Sequence, residues 1–156
     1  MIVVSYVLSS DPVVLREQQS VNLAKADLVD LCYSCFGGDL TLKVNDADFS
    51  IVTGGGVQIL DFALEFFTAG SSLKSGDSAQ VTFAGMSDEI YLVPSGESVR
   101  VSSSYTEDGV EVLKSEITSA SREFLAKLLV DLGNRYPDLR KNRNVKKVAS
   151  SAGLRW

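Results

Sequence analysis

The feature that most constrains the fold is residues 57–69, a stretch whose polar side chains recur at helical spacing. Gln58, Asp61, Glu65 and Thr68 are separated by 3, 4 and 3 positions, which places them in one narrow stripe of an α-helix. Every other position of the stretch is apolar. A helix that is apolar around most of its circumference must be covered around most of it. The pattern therefore predicts a central helix packed on a β-sheet.

Strand-like segments flank this helix on both sides in the sequence. Ile2–Leu8 is rich in residues of high β-propensity, whereas Val13–Ala26 is ambiguous between a strand and irregular structure. Leu28–Phe36 and Leu40–Val44 are predicted to form a hairpin, because Gly37-Gly38-Asp39 is a short glycine-bearing joint. Four more strands in a row predict an antiparallel meander: Ala79–Phe83, Glu89–Pro94, Ser98–Tyr105 and Val110–Lys114.

Two helices complete the predicted fold. The central helix is expected to end at Gly70, since glycine suits the left-handed position after a helix. Ser115–Asn134 has the apolar periodicity of a second helix, with Ser115 as its N-cap. The order of strands, helix, strands, helix predicts an α+β fold with an antiparallel meander and two α-helices packed on one face.

Charge divides the chain into an acidic body and a basic end. Residues 1–138 contain all 20 carboxylates and nine of the 15 Lys and Arg residues, whereas residues 139–156 contain six basic residues and no acid. We expect residues 1–139 to form a single domain and residues 140–156 a basic C-terminal tail of low order. The tail either binds nucleic acid, folds back on the acidic body or is simply solvated. The body favours a basic partner and disfavours nucleic acid and membranes.

The compartment follows from what the sequence lacks. No apolar run is long enough for a membrane span, and Met1–Leu8 has no basic residues before it, unlike a signal peptide. Two cysteines without a secretory signal are typical of a cytoplasmic protein.

Catalytic motifs are also missing, and the chain has no histidine. This removes the usual nucleophile–histidine pairs and histidine-ligated metal sites, so we expect no enzyme activity, cofactor or metal. Cys32 and Cys35 form a C-x-x-C motif, but they fall in a predicted strand rather than at a helix start, and no second pair would complete a zinc site. Both cysteines are interpreted as structural, with a redox or metal site as the alternative.

Two further patterns have a functional and a simpler interpretation. Thr53-Gly54-Gly55-Gly56 precedes the central helix, as phosphate-binding loops do, yet its spacing matches no known phosphate loop and no lysine follows. We interpret it as a flexible connection. Asp61 and Glu65 lie one helical turn apart, which suits acid–base or metal chemistry, but they also form the exposed stripe of an apolar helix. They are secondary candidates for a site.

The meander predicts the primary candidate site. Alternate loops of a meander lie at the same end of the sheet, so residues 84–88 and 106–109 should be neighbours. We expect these loops to gather five partner-binding carboxylates: Asp88, Glu89, Glu107, Asp108 and Glu111. A docking surface for a basic protein competes with a solvated acidic end and with a divalent-cation site, although the spacing of known cation loops is absent.

Three segments resemble parts of bacterial immunity proteins, which neutralise toxins of contact-dependent growth inhibition and other polymorphic toxin systems. They are Leu60-Asp61-Phe62-Ala63-Leu64, Asp88-Glu89-Ile90-Tyr91-Leu92 and Tyr136-Pro137-Asp138-Leu139. The resemblance covers residues 57–139 and concerns the class of protein; it assigns no functional residue, and the basic tail departs from it. It implies a cytoplasmic protein that binds a cognate basic toxin domain. The alternatives are a small carboxylate-based enzyme and a structural protein that forms homo-oligomers.

Overall fold

The chain forms two antiparallel β-sheets and five α-helices in a computed structural model that describes residues 1–156. The first sheet contains β1 (Ile2–Leu8), β2 (Gly37–Val44), β3 (Ala47–Asp48) and β4 (Val57–Gln58). The second contains β5 (Ala79–Thr82), β6 (Glu89–Ser95), β7 (Ser98–Ser103) and β8 (Gly109–Leu113). The helices are α1 (Pro12–Gln19), α2 (Leu28–Ser34), α3 (Ile59–Lys74), α4 (Lys114–Arg135) and α5 (Arg143–Ser151). The predicted α+β class is confirmed, with two sheets instead of one and five helices instead of two.

The second sheet is the predicted meander, with the strand order β5-β6-β7-β8. Alternation along β7 follows the expected parity, because Val99 and Val101 are buried while Arg100 between them is exposed. Antiparallel sheets with one covered face have this alternation. The predicted strand positions are therefore correct to within a few residues.

The predicted hairpin of Leu28–Phe36 with Leu40–Val44 is wrong, because residues 28–34 form a helix and β2 pairs with β1. Asp27 caps α2 by accepting a hydrogen bond from the N–H of Asp30. Glycine allows the long-range pairing: a Cβ at Gly38 would lie 2.4 Å from the carbonyl oxygen of Val7. The ambiguous segment before it contains α1, which Asp11 caps and Pro12 begins.

Helix α3 lies between the two sheets and buries Phe62, Phe66 and Leu73 among other apolar residues. It continues through Gly70 and ends at Lys74, so the predicted end at Gly70 is wrong. Gly70 serves a different purpose, since a Cβ there would lie 2.5 Å from the Ser121 Oγ of α4. Glycine is needed at this position for the close approach of two helices.

Helix α4 buries the predicted apolar face, including Ile117, Phe124 and Leu128. Its N-cap is Leu113, which makes no side-chain capping bond, so the prediction of Ser115 as the cap is wrong.

No helix in the structure combines the length and the apolar composition that a membrane span requires.

The expectation that residues 140–156 form a tail of low order is also wrong. Pro137–Lys141 forms a 3-10 helix, α5 follows, and Val145, Ala149 and Ala152 belong to the same hydrophobic core as the body. Asn142, which is fully buried, joins this region to the turn before α2. Its Nδ2 donates to the carbonyl oxygens of Leu23 at 2.9 Å and Ala26 at 2.8 Å.

The central packing of α3 predicts unequal costs for truncating its two adjacent phenylalanines. Phe66 is buried and Phe67 is half-buried. Phe66→Ala should lower the free energy of unfolding by about 3–5 kcal/mol, because it leaves a cavity in the core. Phe67→Ala should cost clearly less. Chemical denaturation measures both, and equal midpoints for the two variants and the wild type would contradict this assignment.

The buried amide of Asn142 predicts that the C-terminal region is held by neutral hydrogen bonds. Its Oδ1 also accepts from the N–H groups of Asn144 and Val145 at the start of α5. Asn142→Ala should lower the free energy of unfolding by about 2–4 kcal/mol, because it removes a helix cap and the donor to the Leu23 carbonyl, and leaves the Ala26 carbonyl with the Asn144 amide alone. Asn144→Ala is the control and should cost less, since its side chain makes one bond, of 3.2 Å, to the Ala26 carbonyl.

Candidate functional site

Strand register brings the predicted acidic loops together at one end of the second sheet. Thr82 pairs with Glu89 at the turn between β5 and β6, and Ser102 pairs with Gly109 at the turn between β7 and β8. Ile90 pairs with Ser103, so the two turns are neighbours. We call this region the acidic end and define it by the five predicted carboxylates: Asp88, Glu89, Glu107, Asp108 and Glu111.

Hydrogen bonds hold the two loops of the acidic end against each other. The N–H of Glu89 donates to the Ser104 hydroxyl at 2.9 Å, and the N–H of Ser104 donates to the carbonyl oxygen of Glu89 at 3.0 Å. The carboxylate of Glu89 accepts from the Tyr91 hydroxyl at 2.8 Å. This bond to a carboxylate raises the pKa of Tyr91. Glu89 is therefore the most constrained of the five carboxylates.

The first sheet adds a carboxylate that the sequence analysis missed. The N–H of Asp48, at the end of β3, faces the Asp108 carboxylate at 3.5 Å. Hydrogen bonds from Ser50 lower the pKa of Asp48, so it is charged at neutral pH. Nearby, the Asn45 amide donates to the carbonyl oxygen of Glu111 at 2.8 Å. No local pattern marks Asp48 as part of this region, because its neighbour Asp108 lies in the loop before β8, 60 residues further along the chain.

Tyr105 anchors the acidic end on the hydrophobic core. Its hydroxyl donates to the carbonyl oxygen of Phe49 at 2.7 Å, and its ring packs edge-on against Phe83 at 6.4 Å between centroids. Burial raises the pKa of Tyr105, and the charges of Asp88 and Asp48 raise it further. Asp88 and Asp48 therefore lie close to this part-buried hydroxyl, which ties the loop between β7 and β8 to the residue that follows β3.

Most of the carboxylates at the acidic end have no basic partner. The structure contains two ion pairs, Met1 with Glu116 at 3.4 Å and Lys141 with Asp138 at 3.1 Å, and neither involves this region. Arg100 is the nearest cation in the sheet, since it pairs with Glu111 in the ladder and its guanidinium lies against Gly109. Glu107 and Asp108 are exposed and have no ion-pair partner, whereas Lys43 pairs with the exposed Asp48 in the ladder of β2 and β3 and helps to lower its pKa.

The divalent-cation alternative finds no support in the geometry. No group of three or more Asp, Glu, Cys or His side chains in the structure is arranged to hold a metal ion. A cation site requires several carboxylates that converge on one point. The carboxylates at the acidic end are instead spread over a surface.

The secondary candidates, Asp61 and Glu65, are half-buried rather than a water-facing stripe. The Asp61 carboxylate accepts from the N–H of Ala84 at 2.9 Å, which ties α3 to the loop between β5 and β6. Burial raises the pKa of both carboxyl groups, and the charge of Asp61 raises that of Glu65 further. Neither residue lines the main surface cavities. Asp61 therefore positions one loop of the acidic end from behind.

A carboxylate of the chain already occupies two amides of the glycine loop before α3. The carboxylate of Asp39 already accepts from the N–H groups of Thr53 at 3.2 Å and Gly55 at 2.9 Å. Gly54 and Gly55 have φ values of 78° and 103°, which glycine adopts at little cost. The simpler interpretation, a structural connection, agrees with this geometry.

The basic end makes a single ion pair with the acidic body, between the sequence neighbours Lys141 and Asp138. Helix α5 packs through its apolar side, and a groove of about 900 Å³ lies beside it. The groove is lined by Ala24, Lys25, Lys141, Arg143, Asn144 and Lys147. Lys141 pairs only with its neighbour Asp138, so the other cations of the groove face solvent without a carboxylate partner.

The C-x-x-C motif lies at the end of helix α2, not in a strand as predicted. Both thiols are free and buried. Burial raises the pKa of Cys32 to about 12 and that of Cys35 to about 11, and nearby carboxylates add to both shifts. Redox-active cysteines have lowered pKa values and occupy the start of a helix. The geometry favours the structural interpretation.

Comparison with known proteins gives no relative for this chain: no protein-family model, curated protein or solved structure matches it.

The raised thiol pKa values predict slow reaction with thiol reagents. Because the thiolate is the nucleophile, a group whose pKa is raised has almost no reactive form at pH 8. Native protein should leave both cysteines unmodified by a maleimide at pH 8 over a time in which denatured protein reacts fully, as mass spectrometry would measure. Rapid labelling of either native thiol would restore the redox interpretation.

Proposed function

We propose that this protein binds a basic partner protein through the acidic end, and that the partner is a toxin domain which it neutralises. The single observation that carries the proposal is a set of exposed carboxylates, from two sheets, that have no ion-pair partner within the chain. The resemblance of residues 57–139 to immunity proteins supports the identity of the partner. We expect the encounter to take place in the cytoplasm.

Unpaired charge favours this function because it acts at a distance. Exposed carboxylates that lie close together repel one another. A cluster of them therefore lowers the stability of the folded protein unless a partner neutralises the charge. Toxins that act on nucleic acid need a basic cleft, and an acidic surface is steered towards such a cleft and can fill it. Nucleic acid itself is disfavoured as a partner at this surface by the same charges.

Rigidity of the acidic end also suits an inhibitor. Its loops are held by the Glu89–Ser104 bonds, by the Tyr105 hydroxyl on Phe49 and by Asp61 on Ala84. A surface that is ordered before binding loses little conformational entropy on association, which favours tight complexes.

A charge-reversal experiment tests the proposal. We expect a toxin domain to be encoded beside the gene for this protein, and that domain serves as the probe in a growth-rescue assay and in association-rate measurements. E107K/D108K should abolish rescue and slow association by at least about tenfold at low salt, because steering is lost. For the wild type, association should slow markedly as ionic strength rises, since salt screens exposed charges.

Matched changes at the other end of the sheet provide the control. Asp77 and Glu97 are exposed and lie at the end of the sheet opposite to the acidic end. Asp77 precedes β5, and Glu97 follows β6. D77K/E97K replaces two carboxylates with two ammonium groups, as the test variant does, so both variants have the same net charge. D77K/E97K should rescue growth like the wild type. Equal rescue by both double variants would contradict the assignment of the binding surface.

A further inference from the structure

Strand β1 has one free edge that the fold leaves unprotected. It is the outer strand of the first sheet and pairs only with β2. The bonds that flank the ladder, Asn45 N–H to Met1 and Ser9 N–H to Gly37, show that the odd residues of β1 face β2. In an antiparallel pair the remaining residues direct their N–H and C=O groups to the other side. The even-numbered residues of β1 therefore present a row of backbone donors and acceptors at the free edge; they are Ile2, Val4, Tyr6 and Leu8.

The strand itself contains none of the residues that usually keep such an edge from pairing. Natural edge strands are short or carry lysine, proline or an inward-pointing charge. Residues 2–8 contain none of these and no charged residue at all. Their outer face exposes two valines, Val3 at 40% and Val7 at 71%. The other outer strands are all shorter than β1; they are β3, β4, β5 and β8. Strand β8 also accepts a hydrogen bond from the side chain of Asn45.

The sequence of β1 is complementary to itself about a two-fold axis. An antiparallel pair centred on Ser5 uses all seven residues and places Val3 of one copy opposite Val7 of the other, twice. On the inner face it places Ile2 opposite Leu8 and Val4 opposite Tyr6. The same register directs the free backbone groups of both copies at each other, so that they form a ladder across the axis.

A groove beside the edge offers further apolar contact. It has a volume of about 180 Å³, lies between β1 and α4, and is lined by Ile2, Val4, Ala120, Glu123, Phe124 and Lys127. Its two charged residues are of opposite sign, so a second copy meets no net repulsion there. In the centred register, Leu8 and Tyr6 of the second copy lie beside Ile2 and Val4, which are only partly buried in one chain.

We propose that this protein forms a reversible homodimer through antiparallel pairing of β1 with β1 of a second copy, centred on Ser5. A single seven-residue strand pair with a small groove buries less than the roughly 1,200 Å² of standard complexes, so the dimer is weak and depends on concentration. The acidic end takes no part in this contact. The dimer therefore stands or falls independently of the proposed function.

Charge pairs at positions 3 and 7 test the register. V3K/V7K places like charges opposite each other across the axis and should keep the protein monomeric in sedimentation velocity. V3E/V7K places opposite charges there and should dimerise at least as well as the wild type. Within each copy these positions pair with Lys43 and Asp39, so V3E/V7K is also compatible with the fold. Equal behaviour of the two variants would overturn the register.

The wild type decides whether the dimer exists. Its weight-average mass should rise from 16.8 kDa towards twice that value over about a hundredfold increase in protein concentration. V93K, a matched change at an exposed strand valine of the second sheet, should behave like the wild type. A constant monomer mass for the wild type over this range would overturn the proposal.

Disulfide trapping provides a second readout that does not depend on affinity. Opposed residues of a non-hydrogen-bonded pair have Cα atoms about 4.5 Å apart, which suits a disulfide. In S5C, oxidised glutathione should oxidise the two opposed thiols to an intermolecular disulfide while it is itself reduced. V93C should remain monomeric under the same conditions, and the native cysteines are buried. Equal cross-linking of S5C and V93C would overturn the placement of the axis.

Discussion

The fold depends on the close contact of α3 with both sheets and with α4. The ring of Phe62 packs against those of Phe66, Phe83 and Phe124, with centroids 5.4 to 5.7 Å apart. Two of these partners lie outside α3, one after β5 and one on α4. At the other end of α3, Gly70 admits the side chain of Ser121. One helix therefore sets the distance between elements that have no strand pairing in common.

Because the two sheets are held side by side, both contribute carboxylates to the surface at the acidic end. The second sheet alone brings together the loops that contain Asp88 and Asp108. Asp48 joins them only because the first sheet is held alongside, through α3 and through the Asn45 contact with β8. The half-buried Asp61 contributes to the same arrangement, since it binds the N–H of Ala84 from behind the loop. Charge at the surface thus depends on neutral packing and hydrogen bonds beneath it.

Local sequence patterns predicted the elements whose partners are close in the chain. The meander, the helical character of residues 59–69 and the grouping of five carboxylates all follow from alternation, turns and helical spacing. The predictions fail where the partner is distant, since β2 pairs with β1 across the 28 intervening residues 9–36. They also fail at Leu28–Ser34, which is too short for its period to be distinguished from that of a strand. The C-terminal region is ordered because Asn142 and small alanines are buried there. Its composition, with six basic residues and no acid, predicts a solvated tail instead.

The attachment of α5 separates stability from charge in this molecule. Its apolar side and the Asn142 amide hold it in place, while its cations form no ion pair with the acidic body. Salt screens exposed charges much more than buried neutral contacts. Raising the ionic strength should therefore weaken interactions of the acidic end and leave the position of α5 unchanged. A change in association rate with salt then reports on the docking surface, because the structure that supports the surface does not depend on the charges being screened.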